Sequence, residues 1–238
     1  MIPIPIRDDQ PRFSTPYVTY FLIAINLLIQ VFMAVLSPVA ERQLIGQFAV
    51  IPASFAAALA PGAGHSLLAA SLPLFTSMFL HGGWAHVIGN VWVLWIFGDN
   101  IEDHLGHFLY ILFYLLCGVG AGLFHVWLNS GSAIPTVGAS GAIAGVMGAY
   151  LLLYPKARVQ TIVILIIFVT TWTLPAWIVL GYWFVLQFLL GAASSALQAG
   201  QASGGGVAFW AHVGGFLIGM TLIKLLPERQ ARYRYGTW

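Results

Sequence analysis

The 238-residue chain is strongly apolar: 60% of its residues are hydrophobic and 7% are charged, against about 25% charged residues in an average soluble domain. So few charges could not cover the surface of a soluble protein of this size. Four uncharged runs each exceed the roughly 20 residues that span a bilayer; they cover residues 13–40, 43–98, 104–155 and 159–223. The composition predicts a polytopic protein of the lipid bilayer, and the net charge of +2 is too small to indicate a nucleic-acid partner.

The first apolar segment, residues 17–36, follows a short polar N-terminus, residues 1–16. It is longer than the apolar core of most cleaved signal peptides, so we interpret it as a retained membrane span. Cleavage near Ser37–Ala40 is the alternative. The long connection that follows, residues 37–66, is weakly polar and contains several Pro and Gly residues, and it is apolar enough to lie in the membrane interface.

Turn residues and charges divide the rest of the chain into five further predicted helices. They cover residues 77–98, 107–128, 139–154, 175–198 and 207–226. Residues 158–174 are β-branched and apolar but short for a span, so we interpret them as an interfacial or re-entrant piece, with a seventh span as the alternative. The predicted fold is all-α, with six membrane helices over residues 17–226 and a basic cytosolic tail, residues 227–238.

The positively charged residues predict the orientation of these helices. With six spans and the N-terminus inside, the outer segments hold only Arg42, and eight cations lie on the inner side: Arg7, Arg12, Lys156, Arg158, Lys224, Arg229, Arg232 and Arg234. Both termini are therefore expected in the cytosol. We expect a multi-pass protein of a prokaryotic inner membrane.

Strongly polar side chains inside predicted spans are costly in lipid and indicate functional sites. His86 and Asn90 share one face of the second helix, because they are four residues apart. Ser140 lies in the first turn of the fourth helix, and His212 lies near the start of the sixth. All three helices run inward from the outer face, so the four side chains are expected in the outer half of the bilayer.

Small residues indicate how two of these helices meet. Glycines recur on the fourth helix at Gly141, Gly145 and Gly148, and on the sixth at Gly215 and Gly219. Such stripes let helix backbones approach closely in lipid. Packing one stripe on the other would bring Ser140 towards His212.

Serine becomes a strong nucleophile when a base takes its proton, and histidine is the base whose pKa suits neutral pH. Asn90, His86 and the free N–H groups at the start of the fourth helix could stabilise an oxyanion. No Asp or Glu is expected at this depth, so the pattern predicts a Ser–His dyad. Each of these residues alone is better explained by packing or by an interhelical hydrogen bond, but their common depth favours catalysis.

Two other catalytic motifs are absent from the sequence. The residues around Ser140 read GASGA, and Ala142 replaces the last glycine of a G-x-S-x-G elbow. No H-E-x-x-H motif accompanies His81 and His86, so the signature of an intramembrane zinc protease is missing. Cys117 is interpreted as a buried residue that packs in the core. Four further histidines are explained by solvated or interfacial positions: His65, His104, His107 and His125.

Three segments together make the chain resemble the rhomboid family of intramembrane serine proteases. They are FLHGGWAHVIGNVWVLWIFG, which carries His86 and Asn90, GASGAIAG around Ser140, and AHVGGFLIG around His212; GDNIEDHLG, with Glu102 and Gly106, also matches. The similarity covers roughly residues 74–224, in order. A Trp-Arg pair found in the first outer loop of some members is absent, and Ala144 stands where a tyrosine often follows the nucleophile.

The resemblance implies a six-helix rhomboid-like bundle with Ser140 as nucleophile and His212 as general base. It implies an oxyanion hole of His86, Asn90 and the Ser140 backbone N–H, no cofactor, and lateral entry of substrate. The expected substrates are single-span or polytopic membrane proteins cut in or near a transmembrane segment. A catalytically silent rhomboid-like protein that binds transmembrane clients is the alternative. The sequence leaves the oligomeric state and the physiological substrate open.

Overall fold

A computed structural model describes residues 4–60, 67–165, 168–198 and 208–229, most of which are helical. Its helices are α1 (Tyr17–Ala34), α2 (Pro38–Phe48), α3 (Pro52–Ala58), α4 (Leu67–Thr76), α5 (Trp84–Leu105), α6 (His107–Leu128), α7 (Ser140–Leu153), α8 (Ala176–Gln198) and α9 (Phe209–Leu225). Its strands are β1 (Ile4–Arg7), β2 (Arg158–Leu165) and β3 (Phe168–Pro175).

Three of the described helices are long and apolar enough to cross a membrane: α1, α6 and α8. Helices α7 and α9 are equally apolar in character but shorter, with 14 and 17 residues. Together these helices identify a membrane protein of mainly helical fold.

Helix α7 lies at the centre of the fold, and residues 141–150 are all buried. It packs against α5, α6 and α9. The contact with α9 is made by glycine backbones: a Cβ atom at Gly215 would lie 2.0 Å from the Gly141 carbonyl oxygen, and one at Gly219 would lie 2.0 Å from the Gly145 oxygen. A Cβ at Gly148 would lie 2.2 Å from the Phe216 oxygen, so no side chain fits between the helices there.

A buried carboxylate joins α1 to the end of α5. Glu102 is fully buried and accepts hydrogen bonds from the backbone N–H groups of Val18 (2.9 Å) and Thr19 (2.7 Å), at the start of α1. The Thr19 hydroxyl also donates to it, at 2.7 Å. A negative charge is stabilised at a helix N-terminus. His107 Nδ1 lies 2.6 Å from Glu102 Oε1, the oxygen that also accepts from the Val18 N–H. A solvated or interfacial position is expected for His107 from the sequence. In the structure, His107 also has a defined partner, Glu102.

Residues 158–174 contain strands, which corrects the wholly helical fold expected from the sequence. Strands β2 and β3 form an antiparallel hairpin with Arg158 opposite Pro175 and Leu165 opposite Phe168. The N-terminal strand β1 pairs with β2 on its other side, with Ile4 opposite Ile162. Buried side chains alternate along β2 at Val159, Thr161 and Val163, as a pleated strand requires. A seventh helical span is therefore not formed there.

The predicted second helix is wrong by seven residues at each end. Residues 77–79 form a short 3₁₀ turn, and α5 extends from Trp84 to Leu105. Gly83, with φ +138°, precedes α5, and Gly106, with φ +77°, follows it. Positive φ favours glycine, so these two glycines determine where α5 begins and ends. Hydropathy alone placed both ends wrongly. His65 and the tail residues from 230 onward, with Arg232 and Arg234, lie outside the described residues.

Candidate active site

Ser140 and His212 lie in hydrogen-bond contact although they are 72 residues apart in the chain. Ser140 is the first residue of α7, and His212 lies in the first turn of α9. The glycine contact between these helices holds their first turns together. Ser140 Oγ is 2.7 Å from His212 Nε2, within the range of a nucleophile and its base.

The other ring nitrogen of His212 has a partner that the sequence did not single out. His212 Nδ1 lies 2.7 Å from the side-chain oxygen of Gln187, on α8. An amide oxygen only accepts, so Nδ1 carries the proton and Nε2 keeps its lone pair for the Ser140 hydroxyl. The ring of Trp183, one turn earlier on α8, lies 5.7 Å from the His212 ring.

His86 faces the same space from the first turn of α5. The Gly82 N–H donates to His86 Nδ1 at 3.4 Å, so His86 Nε2 carries a proton and can donate. A Cβ atom on Gly138 would lie 2.8 Å from His86 Nε2 and 3.5 Å from Ser140 Oγ. Gly138, with φ +126°, therefore leaves open the space between the histidine and the serine.

Asn90 lies one turn further along α5, on the same face as His86. Its side chain is 8% exposed, and its amide nitrogen is buried with no hydrogen-bond partner among the described residues. Buried polar groups are nearly always paired. Asn90 also lines a cavity with Ser140 and His86, so a polar group bound there could pair with its side-chain amide.

These side chains line one cavity of about 570 Å³. Its walls come from α5, α7, α8, α9 and residues 135–137, and it contains Ser140, His212, His86, Asn90 and Gln187. The cavity is in the size range of ligand sites and mostly apolar apart from these few polar groups. The lining residues that the structure describes include no Asp or Glu, and no group of three potential metal ligands comes together within the described ranges.

Two further histidines support the loops around the cavity. His81 is 1% exposed, and its Nε2 accepts from the Ala139 N–H at 3.4 Å. His125 Nε2 lies 3.1 Å from the Thr136 hydroxyl oxygen, which connects the end of α6 to the segment before α7. A solvated or interfacial position is expected for His125 from the sequence. In the structure, His125 also makes a specific contact with the loop that precedes Ser140.

The sequence of the chain is similar to a known protein family and to several known proteins. The Rhomboid domain profile matches residues 69–229, more than half of the chain. Rhomboid-like protein 11, chloroplastic, of Arabidopsis thaliana is 32% identical over 157 residues, which are 64% of this chain and 51% of that protein. Rhomboid protein 1, mitochondrial, of Saccharomyces cerevisiae is 27% identical over 177 residues, or 70% of this chain and 47% of that protein.

A mouse relative, presenilin-associated rhomboid-like protein, mitochondrial, is 33% identical over 92 residues, which are 38% of this chain and 24% of that protein. The chain spans about half the length of the first two relatives. The chloroplastic and mitochondrial names of these relatives give no support to the prokaryotic membrane expected from the sequence, which stays a prediction. The match over residues 69–229 shows that the chain belongs to the rhomboid family.

Proposed function

We propose that the chain is an intramembrane serine endopeptidase that uses Ser140 and His212 as a catalytic dyad. The observation that carries the proposal is the 2.7 Å contact between Ser140 Oγ and His212 Nε2 at the wall of a cavity. The substrates are single-span or polytopic membrane proteins, cut in or near a transmembrane segment. Six helices span the membrane in this proposal: α1, α5, α6, α7, α8 and α9.

The reaction is acyl transfer in two steps. His212 Nε2 takes the hydroxyl proton of Ser140 as Oγ attacks the scissile carbonyl carbon, and the carbonyl oxygen becomes an oxyanion. The imidazolium then gives its proton to the leaving amine, and an acyl-enzyme remains. A water molecule, deprotonated by His212, hydrolyses the ester and frees Ser140.

The oxyanion is stabilised by three donors around the cavity: the amide nitrogen of Asn90, Nε2–H of His86 and the backbone N–H of Ser140. The positions of Asn90 and His86 in the cavity lining and the open space at Gly138 support this assignment. The N–H groups of the first turn of a helix have no intrahelical partner, so that of Ser140 is free to donate. Fixed donors aimed at developing charge supply a large share of the rate enhancement in acyl transfer.

Both termini face the cytosol in the proposed orientation, and the cavity faces the opposite side. The positive-inside bias of the sequence supports this orientation. The separation of cations from the cavity along α5 also supports it, since Arg12 and Arg229 lie near the end of α5 and the cavity lies at its start.

The alternative is a silent rhomboid-like protein that binds transmembrane clients in the same cavity. A fluorophosphonate probe separates the two, because it forms a covalent bond with an activated serine and needs no peptide substrate. We expect the purified protein in detergent to be labelled at Ser140, and the His212→Ala variant to be labelled far more slowly. Labelling of the native protein no faster than of His212→Ala would favour the silent protein.

A further inference from the structure

We propose that Gln187 is the positioning residue of His212, taking the place that an acidic side chain holds in a Ser–His–Asp triad. The inference rests on the proposed function, since it assigns a task within the same reaction. It adds a third residue to a site that the sequence describes as a dyad. The residue comes from α8, a helix that contributes neither the nucleophile nor the base.

The contact is short, and both residues are largely buried. Gln187 Oε1 lies 2.7 Å from His212 Nδ1, Gln187 is 9% exposed, and His212 is 7% exposed. A hydrogen bond of this length between buried groups fixes both partners in place. Gln187 also lines the cavity, so the bond lies next to the reacting groups.

The bond selects one tautomer of His212. Neutral imidazole has its proton on one of two nitrogens, and only the Nδ1–H form leaves Nε2 free to accept from Ser140. The Gln187 oxygen can only accept, so it favours the Nδ1–H form. Without that oxygen, the proton could move to Nε2, and the ring would become a donor towards Ser140 and lose its function as a base.

An amide is suited to this position because the site is buried. A carboxylate beside a neutral histidine would be a desolvated charge within a membrane helix, which is costly. An amide oxygen offers a directional acceptor without a net charge. Gln187 therefore orients His212 during the resting state, when no imidazolium is present to balance a carboxylate.

Besides Gln187, the side chain of Trp183 also contacts the ring of His212. Trp183 lies one turn before Gln187 on α8, and its ring stands 5.7 Å from that of His212 at an angle of 37°. That contact limits the position of the ring but does not distinguish its two nitrogens. Gln187 thus determines the tautomer of His212, and Gln187 and Trp183 together determine the orientation of its ring.

The test uses two substitutions at one position with different hydrogen-bond capacity. Gln187→Met has a similar length but lacks the acceptor oxygen, and Gln187→Glu retains an acceptor. Gln30→Met is the matched control, because Gln30 is another buried glutamine, on α1, and does not line the cavity. Thermal unfolding in detergent shows that each variant is folded.

We expect Gln187→Met to lower kcat on a single-span reporter, and the rate of fluorophosphonate labelling, by roughly 10–100-fold, the range typical of groups that fix the tautomer of metal-bound histidines. KM should change by less than about twofold, since the change affects the base rather than substrate binding. Gln187→Glu should recover a clear part of the labelling rate. Gln30→Met should leave both rates as in the native protein.

The imidazole ¹⁵N spectrum of the native protein provides a readout that does not depend on activity. We expect His212 as the Nδ1–H tautomer, and a mixture of tautomers or the Nε2–H form in Gln187→Met. A folded Gln187→Met variant that keeps the native labelling rate, or keeps the Nδ1–H form, would overturn the inference. If the native protein neither labels nor cleaves, the proposed function fails, and the spectrum still decides whether Gln187 sets the tautomer.

Discussion

Ser140 and His212 form one functional unit in the proposed reaction, because neither the nucleophile nor the base works alone. Each contributes one atom to a single 2.7 Å hydrogen bond. We therefore predict that Ser140→Ala and His212→Ala lower the cleavage rate by similar factors, and that the double variant is no worse than either single variant. Initial rates on a single-span reporter measure this. Losses that add in the double variant would contradict a shared role.

Asn90 contributes less than the dyad, because it is one of several oxyanion donors. We predict that Asn90→Ala lowers kcat on the order of 10²–10³-fold and leaves measurable activity. Asn26→Ala is the control, since Asn26 is a buried asparagine on α1 whose amide donates to the Leu22 carbonyl oxygen at 2.7 Å. A native rate in Asn90→Ala would remove Asn90 from the oxyanion hole.

Four polar residues of the cavity could be predicted from the sequence, because the charge bias and the helix spacing indicated the depth of each in the membrane: His86, Asn90, Ser140 and His212. Gln187 could not be singled out in the same way. A glutamine in an apolar helix indicates a polar contact, but hydropathy does not give the rotation of α8 about its axis. The contact with His212 depends on that rotation, which the packing of α8 against α9 determines.

The glycines of α7 and α9 determine how close these helices lie, and hence the distance between Ser140 and His212. A methyl group at Gly215 would lie 2.0 Å from the Gly141 carbonyl oxygen, which is backbone and cannot move aside. We predict that Gly215→Ala lowers the free energy of unfolding by about 1–3 kcal/mol, as overpacking does elsewhere. Cleavage should fall more steeply, since the dyad distance would lengthen.

The control for this prediction is Gly181→Ala on α8, where nothing lies within 4 Å of the new Cβ. Alanine there should be neutral or should stabilise the helix by up to about 1 kcal/mol. Thermal unfolding in detergent compares the two variants. Equal stability of Gly215→Ala and Gly181→Ala would show that the helices adjust without cost.

Two aspartates hold the N-terminal segment against the rest of the fold. The Tyr150 hydroxyl, on α7, donates to Asp8, and the Asp9 carboxylate accepts from the Arg158 N–H at 2.8 Å. Burial, with a smaller effect from the charge of Asp99, raises the pKa of Asp8 from 3.8 to about 6. Because the folded pKa exceeds the unfolded one, docking is stabilised fully below about pH 4. That stabilisation is lost as pH rises through 6.

We predict that the amides of β1 become less protected between pH 5 and pH 7.5. Hydrogen–deuterium exchange, corrected for the intrinsic pH dependence of amide exchange, measures this protection. Asp8→Asn keeps the side-chain shape and removes the titration, so its protection should vary much less with pH. An unchanged pH dependence in Asp8→Asn would assign the effect to another group.

Two errors at the element scale have physical causes. The second helix was predicted to begin at residue 77 because apolar residues continue through Leu80, whereas the chain turns at Gly82 and Gly83. Buried side chains alternate along β2, but apolar and polar residues do not alternate regularly over residues 158–174, so the period of two that marks a strand was weak. The third strand of the sheet, residues 4–7, pairs with β2, and a pairing between segments so distant in sequence leaves no local signal.

The whole molecule explains how a short helix can place a nucleophile within a membrane. Helix α7 has 14 residues and is about 21 Å long at 1.5 Å per residue, which is less than the roughly 30 Å of a bilayer core. It is surrounded by α5, α6 and α9, so its ends need not reach the membrane surface. In the proposed orientation, Ser140 therefore lies below the outer surface, at the end of a cavity that admits water and substrate.

The proposed function requires that this chain hydrolyses peptide bonds of membrane proteins through Ser140. The most direct measurement incubates the purified protein in detergent or liposomes with a panel of single-span reporters, beside the Ser140→Ala variant, and identifies the products by mass spectrometry. We expect the native protein to cleave at least one reporter in or near its transmembrane segment, and Ser140→Ala to cleave none. Intact reporters across the panel, or equal cleavage by Ser140→Ala, would contradict it.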